Sequence, residues 1–94
     1  MSTLPGGRPS MVVTQVTVGI GATLVSAARD GRASISILNE GTTAVRYGPT
    51  SGVTVGNGAL LPGILGASVT LGYCGDVWAI ASAPQVVSVT EIYG

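Results

Sequence analysis

The stretch Arg32–Asn39, RASISILN, decides the fold class because polar and apolar residues alternate from Arg32 to Ile37. This period of two is typical of a β-strand with one buried face. The pattern predicts that Ala33, Ile35 and Ile37 point inward, while Arg32 and the two serines point outward. A hairpin loop is expected directly after the strand, where Gly41 supplies a positive φ.

The rest of the chain favours sheet in the same way. Val, Ile and Thr, whose branched side chains suit a pleated surface, make up 29 of the 94 residues. Fifteen Gly and five Pro break the sequence into short segments, and no sustained period of 3.6 predicts a long helix. Eight short strands are predicted, at residues 11–18, 22–27, 32–39, 43–47, 52–55, 67–73, 76–82 and 85–93. We therefore expect an all-β domain over residues 11–94, a small β-sandwich or jelly roll, with a bulge or an edge near Thr90 and Glu91.

Residues 1–10, MSTLPGGRPS, form a separate segment. Two prolines and two glycines in ten residues oppose regular strand pairing, so an extended N-terminal arm is predicted. The segment lacks the apolar stretch of a secretory signal, which leads us to expect synthesis and folding in a cytoplasm. No run of 18 apolar residues occurs, so no transmembrane helix and no membrane partner is predicted.

The charge content is low and balanced. The chain carries four Lys plus Arg, all of them Arg, against four Asp plus Glu, and it has no His. Scattered arginines without lysines argue against a nucleic-acid partner. A net charge of zero does little to keep copies apart, and interface cores are depleted of charge. The composition therefore favours contact between subunits.

No catalytic constellation can be assembled from these residue types. Without His or Lys, neither a Ser-His-Asp triad nor a Ser-Lys dyad is available, and Cys74 has no base to activate it. Cys74 is instead expected to be a small buried or half-buried residue. Asp30, Glu40 and Asp76 fall in predicted turns, where carboxylates commonly cap the backbone. The sequence therefore predicts a non-enzymatic protein with no cofactor and no metal site.

The aromatic residues leave two interpretations open. Tyr47, Tyr73 and Trp78 suit a stacking platform for a sugar, but such residues more often fill the core of a small sandwich. On the second interpretation Trp78 anchors the core. Exposed and clustered rings would favour the first.

Two apolar stretches predict an interface. In residues 77–81, Trp78 and Ile80 are expected to fill the core, so that Val77, Ala79 and Ala81 form a smooth outer face for another subunit. Apolar residues also surround the Pro62-Gly63 turn, either as a contact surface or as a loop folded over one end of the sandwich. With two residues of the arm, the candidate interface comprises Leu4, Arg8, Leu61, Ile64, Leu65, Val77, Ala79 and Ala81.

About two-thirds of the chain resembles small β-sandwich virion proteins of tailed bacteriophages. The shared pattern is a strand of the form R-x-S-I-x-I-x-N, a Gly-Thr turn, an aromatic residue with Gly, V-T-x-x-N-G, Pro-Gly, and two late strands. These elements are residues 32–39, 41–43, 47–48, 53–58, 62–63, 77–81 and 87–91. The chain departs from the pattern at residues 64–72, which are longer and more apolar than usual, and at Trp78, where Tyr is common.

The resemblance implies a capsid decoration (cement) protein that binds and stabilises the head shell from the virion surface. Such proteins are usually oligomeric, so a homo-dimer or homo-trimer bound to the major capsid protein is expected. The arm would extend across a neighbouring capsid subunit, with Arg8 on a carboxylate. The alternative is a tail- or fibre-associated module that binds a receptor or a carbohydrate.

Overall fold

The structure is a computed structural model that describes residues 10–93. Leu4 and Arg8, like the rest of the predicted arm through residue 9, lie outside the described residues. The first strand begins at Ser10, one residue earlier than predicted. The strands are β1 (Ser10–Val18), β2 (Thr23–Ser26), β3 (Arg32–Asn39), β4 (Val45–Gly48), β5 (Ala59–Leu61), β6 (Ser68–Leu71), β7 (Val77–Ala81) and β8 (Gln85–Tyr93).

The strands form two four-stranded antiparallel sheets. Sheet A has the order β1-β8-β3-β6, and sheet B has the order β2-β7-β4-β5. Each strand of the first half of the chain therefore pairs with one of the second half: β1 with β8, β2 with β7, β3 with β6 and β4 with β5. This is the strand order of a jelly roll. The predicted all-β sandwich is confirmed, and the topology selects the jelly roll.

The core lies between the sheets and is built from alternate residues of each strand. Ile35 and Ile37 of β3 are fully buried, as predicted, and they share the core with Val87 and Val89 of β8. Sheet B contributes the other layer of the core: Val25, Val45, Leu61, Val77, Ala79 and Ala81. Because the two inner faces interdigitate in a layer about 10 Å thick, the small alanines of β7 leave room for the larger residues opposite.

One predicted strand is wrong. Residues 52–55 form no strand, and the fifth strand lies instead at Ala59–Leu61, just before the Pro62-Gly63 turn. The backbone N–H of Thr54 donates to Asn57 Oδ1 at 2.8 Å, and the Asn57 N–H donates to the Thr54 carbonyl at 3.1 Å. These local bonds use the backbone groups that a sheet ladder would need.

The bulge or edge predicted near Thr90 and Glu91 is wrong, because β8 lies inside sheet A and pairs with β1 in unbroken register, with Glu91 on the same face as Val89. A bulge lies instead in the neighbouring strand β3. Arg32 pairs with Tyr93 and Ser34 pairs with Ile92, so Ala33 is the extra residue in β3. The insertion reverses the direction of the side chains before it. Arg32, predicted to face solvent, is consequently buried, and Ala33, predicted to face the core, is exposed.

Candidate functional site

Four of the predicted interface residues belong to the monomer's own core. Val77, Ala79 and Ala81 are each at most 2 % exposed, and Leu61 is buried beside them. The predicted orientation of β7 was therefore wrong, because both alternating sets of its residues are apolar and the sequence pattern could not tell them apart. The set with small side chains fits the closed interior, and Trp78 and Ile80 lie on the outer face.

Two predicted residues, Ile64 and Leu65, are exposed as a contact surface requires, at 65 % and 69 %. They lie in the β5–β6 loop, and the exposure of both side chains favours the contact surface over a loop that packs them onto the sandwich. The buried Asn39 holds this loop: its Nδ2 donates to the Pro62 carbonyl at 3.0 Å, and its backbone carbonyl accepts from Gly66 N at 2.8 Å. The loop therefore presents its two apolar side chains from a fixed base.

The outer face of sheet B is apolar. Arg46 pairs with Ile80 on one side and Leu60 on the other, so the three side chains form one row across the sheet. Leu24 and Trp78 form a second row. A shallow depression of about 190 Å³ lies beside the first row, and Val55 and Leu60 on its wall are half exposed. We call this surface, made of Leu24, Arg46, Val55, Leu60, Trp78 and Ile80, the sheet B face.

The outer face of sheet A is different in its central region. One row crosses the sheet from Val13 through Thr90 and Ser36 to Thr70, and Ser36 Oγ lies 2.8 Å from Thr70 Oγ1. Small hydroxyl side chains of this kind are typical of a solvated sheet face. Exposed apolar side chains also occur toward the margins of sheet A, where Met11 and Val13 of β1 are 64 % and 62 % exposed. The sheet B face differs in that its apolar residues form continuous rows across the sheet.

An apolar cleft opens at one end of the sandwich. Its volume is about 490 Å³, and Tyr47 and Tyr73 both line it, with Leu71 and Val77 in the same lining. Cavities of 300–1,000 Å³ are the usual size of ligand sites. The structure thus brings together two of the three aromatics proposed as a platform, whereas Trp78 is half-buried on the sheet B face and not the predicted core anchor.

A buried polar network fixes the Tyr73 side of this cleft. The Arg32 guanidinium donates from Nε to the Tyr73 carbonyl at 3.0 Å and from Nη2 to the Gly75 carbonyl at 2.6 Å. Its Nη1 donates to Glu91 Oε2 at 2.9 Å and to Ser26 Oγ at 2.8 Å. One side chain therefore joins β3 to β2, β8 and the β6–β7 loop. Sequence analysis missed this role, because the bulge that turns Arg32 inward leaves no signal in the alternation.

Glu91 is charged in this network. Burial raises the pKa of its carboxyl group, but hydrogen bonds from Ser26, Arg32 and Tyr93, together with the positive charge of Arg29, outweigh burial and place the pKa below its ordinary value of 4.5. The Ser26 hydroxyl donates to Oε2 at 2.7 Å and the Tyr93 hydroxyl at 3.2 Å. The ion pair is thus stabilised by Ser26 of β2 and Tyr93 of β8, with Arg29 of the β2–β3 loop nearby.

Three other potentially reactive side chains are those of Cys74, Asp76 and Glu40. Cys74 is a free, exposed thiol, not the buried or half-buried residue that was predicted. Asp76 Oδ1 accepts from the Ala28 N–H at 2.7 Å, and the Glu40 carboxylate accepts from Gln15 and Ser88. Within residues 10–93 no three His, Cys, Asp or Glu side chains group as metal ligands would. The same part of the chain contains no helix long and apolar enough to cross a membrane.

Comparison with known proteins supports the assigned fold. No family model and no curated protein matches the sequence. A solved structure described as Bacillus endospore appendages, a family of disulfide-linked pili, resembles this chain with a TM-score of 0.54. The match covers 99% of this chain and 96% of that one at 15% sequence identity. At this identity the likeness establishes a common fold, and the resemblance to phage virion proteins stays a prediction.

Proposed function

We propose that this protein is a non-enzymatic structural subunit that self-associates through the sheet B face, and that it decorates a bacteriophage head. On this proposal the chain is made in the host cytoplasm and is then bound to the major capsid protein at the virion surface. The observation that carries self-association is the apolar character of the sheet B face, where Leu24, Leu60 and Val55 are 42–55 % exposed.

The two-layer architecture explains why this face matters. A sandwich covers only the inner face of each sheet, and the outer faces are ordinarily polar. Trp78, Ile80 and Leu60 make this face apolar, so the free energy falls when a second subunit removes it from water. Trp and Arg are also enriched at the centres of protein interfaces, and Arg46 lies in the middle of this one.

The exposed β5–β6 loop provides a second contact. Ile64 and Leu65 project from a loop whose base is held by Asn39. We assign the sheet B face to sister copies, as a dimer or trimer, and this loop to the capsid shell. Several small contacts made together then give the avidity that a decoration protein requires.

The fold shared with the pilus structure is compatible with a repeating subunit, but the link between copies must be different. These 94 residues contain one cysteine, Cys74. A single thiol can join at most two copies through a disulfide, so it cannot make a disulfide-linked polymer from this segment. Assembly of more than two copies through these residues therefore needs contacts other than disulfides.

Self-association is tested by placing a charge on each outer face. Ile80→Glu puts a carboxylate at the centre of the sheet B face, and Thr70→Glu puts one on the hydroxyl face of sheet A. Sedimentation at micromolar concentration should give an oligomer for the parent and for Thr70→Glu, and a folded monomer for Ile80→Glu. A parent chain that sediments as a monomer would refute the proposal.

The decoration role needs a separate experiment. Gold-labelled antibody against the protein, applied to virions, should mark the heads in electron micrographs. Labelling confined to tails or fibres would replace decoration with the alternative role. In that case Ile64→Ser with Leu65→Ser should leave attachment unchanged, whereas on our proposal the double substitution removes the protein from heads.

A carbohydrate- or receptor-binding role is the second candidate, and the Tyr47–Tyr73 cleft is the observation that favours it. Aromatic rings stack on the apolar faces of sugars, and Thr50 and Asn57 line a polar extension of about 230 Å³ next to the cleft. A glycan array probed with the parent chain and with Tyr73→Ser separates the two candidates. Binding that the substitution abolishes would support this role.

A further inference from the structure

The outer edge of β1 is a long strand edge without protection. Among residues 10–93, the strands at the sheet edges are β1 and β6 of sheet A and β2 and β5 of sheet B. The strands β2, β5 and β6 contain only three or four residues, whereas β1 contains nine. Proteins protect exposed edges with short strands, charged side chains, proline or bulges. β1 has no charge and no proline and pairs with β8 in unbroken register, so its edge lacks all of these protections.

The hydrogen bonds of β3 show which backbone groups of β1 point outward. Asn39 donates its N–H to the Ala67 carbonyl and accepts from Gly66 N, both at 2.8 Å, on the side away from β8. Its partner Val87 in β8 therefore directs its own N–H and carbonyl toward β1, where it pairs with Val16. Because this direction alternates along an antiparallel strand, the even-numbered residues of β1 bond to β8. The residues with outward backbone groups are Met11, Val13, Gln15 and Thr17.

The side chains near the start of β1 are exposed on both faces of the sheet. Val12 has the same parity as the buried Val18 and lies on the core side, yet it is 41 % exposed. Met11 and Val13 on the opposite side of the strand are 64 % and 62 % exposed. A strand added beside them would cover apolar surface and satisfy the backbone groups at the same time.

We propose that β1 pairs with β1 of a second copy, antiparallel and about a two-fold axis at Thr14, so that two copies of sheet A form one eight-stranded sheet. The partner is an identical edge strand, which is recognised through main-chain hydrogen bonds. This contact does not involve the sheet B face and goes beyond the self-association proposed for that face.

Length and register select β1 as its own partner. Each of the other described edges of a second copy could pair with at most four of the nine residues. With Thr14 on the axis, Met11 lies opposite Thr17 and Val13 lies opposite Gln15, so all the outward backbone groups of both strands are paired. An axis at Val13 leaves Thr17 without a partner in β1, and an axis at Gln15 does the same to Met11.

The side chains of β1 also suit an identical partner. A two-fold axis brings residues near it close to their own copies, so a charge on the strand would meet a like charge. β1 contains no Asp, Glu, Lys or Arg. The register with Thr14 on the axis sets Val12 opposite Val16 of the second copy and gives the exposed Val12 an apolar neighbour.

This contact is narrow and therefore weak by itself. An edge of nine residues is about 30 Å long and one strand wide, and it covers less than the roughly 800 Å² that each partner buries in a stable complex. Its backbone bonds also replace bonds to water. Association through β1 alone is expected near about 1 mM chain, so Ile80→Glu stays a monomer at micromolar concentration. Copies already joined by the sheet B face pair more readily, because their local concentration is high.

A disulfide at the axis tests the register. Thr14→Cys, introduced into the full chain with Cys74→Ser, leaves one thiol and sets it opposite its own copy, with the Cα atoms about 4.5 Å apart. Met11→Cys is the matched control, since this exposed position lies about 20 Å along the strand from its own copy. Mild oxidation at about 1 mM chain should form covalent dimers at least about tenfold faster for Thr14→Cys. Equal rates would overturn the proposal.

Two substitutions at Val13 close the edge. Val13→Pro removes an outward N–H and leaves the bonds to β8 intact, and Val13→Lys places like charges near the axis. Either change, combined with Thr14→Cys, should lower the rate of dimer formation to that of the Met11→Cys control. Urea denaturation identifies the variant that stays folded. Unchanged cross-linking in a folded Val13→Lys chain would overturn the proposal.

Sedimentation separates this contact from the sheet B face. Ile80→Glu at about 1 mM should form a dimer that Val13→Lys returns to monomer, and species larger than a dimer would refute the two-fold axis. If Thr14→Cys cross-links no faster than its control while the parent sediments as an oligomer, the β1 contact is refuted and the sheet B proposal stands. Fast cross-linking through Thr14→Cys in a parent that sediments as a monomer at micromolar concentration supports the β1 contact and refutes the sheet B proposal.

Discussion

Arg32 Nη1 lies 2.9 Å from Glu91 Oε2, and both side chains are at most 5% exposed at the end of the sandwich where the cleft opens. The same guanidinium also bonds the Tyr73 and Gly75 carbonyls. A buried ion pair of this kind compensates for desolvation only when its other hydrogen-bonding groups are satisfied. Among residues 10–93 no buried side-chain N or O atom lacks a partner, so this pair meets that condition.

The first prediction concerns the guanidinium geometry. Arg32→Lys keeps the charge but loses the planar fork that serves Glu91, Tyr73 and Gly75 together. We expect the free energy of unfolding, measured by urea denaturation, to fall by about 1.5–3 kcal/mol for each hydrogen bond that the lysine cannot make. The matched control Arg29→Lys, at an exposed position, keeps the positive charge near Glu91 and should change it by less than about 0.5 kcal/mol. Equal effects at the two positions would contradict the structural role of Arg32.

The second prediction is a pH dependence. Because the native pKa of Glu91 lies below its ordinary value of 4.5, the unfolded chain binds a proton at higher pH than the folded chain does. The stabilisation by Glu91 is therefore complete above pH 4.5 and is lost as the pH falls through the native pKa. Urea midpoints between about pH 2 and pH 7 should show this loss, and Glu91→Gln should flatten the curve. A slope that survives in Glu91→Gln would assign the effect to another carboxylate.

The third prediction concerns the backbone beside the cleft. Gly58 has a φ of 97°, and a Cβ there would lie 2.7 Å from Val53 Cγ2 and 2.9 Å from the Tyr47 carbonyl oxygen. Gly31 has a similar φ of 81° but no atom within 4 Å of the added carbon. Gly31→Ala should therefore lower the free energy of unfolding by about 1–2 kcal/mol, because alanine is strained in the left-handed conformation and meets no neighbouring atom. Gly58→Ala should cost measurably more in the same denaturation assay, and an equal cost would exclude the predicted collision.

The fourth prediction concerns the support of the exposed loop. Asn39 is fully buried, and its side chain bonds the Thr43 and Pro62 carbonyls and the Gly41 N–H. Asn39→Ala should lower the free energy of unfolding by about 3 kcal/mol, since each lost bond contributes about 1 kcal/mol. Asn57→Ala, which removes an exposed turn bond to Thr54, should cost less than about 1 kcal/mol. Similar losses for both would mean that Asn39 does not anchor the loop.

The sequence by itself determined the local structure. A period of two in Arg32–Asn39, together with frequent Gly and Pro, defines short strands and turns irrespective of what packs on them. The all-β class followed directly, and so did the inward direction of Ile35 and Ile37. Each of these properties depends on neighbouring residues along the chain, which the sequence displays.

Only the tertiary structure decided which face of β7 is buried. Val77, Ala79 and Ala81 alternate with Trp78 and Ile80, and both sets are apolar, so the pattern is compatible with either orientation. Only the smaller side chains fit between two closely packed sheets, so the larger ones lie on the outer face, where we place the interface.

The tertiary structure also created the cleft and the network that shapes it. Tyr47 and Tyr73 are far apart in sequence and meet because β4 and β6 end at the same end of the sandwich. One inserted residue, Ala33, turned Arg32 from solvent into the interior toward Glu91. Such contacts depend on the long-range pairing of strands, which the local alternation of residues does not predict.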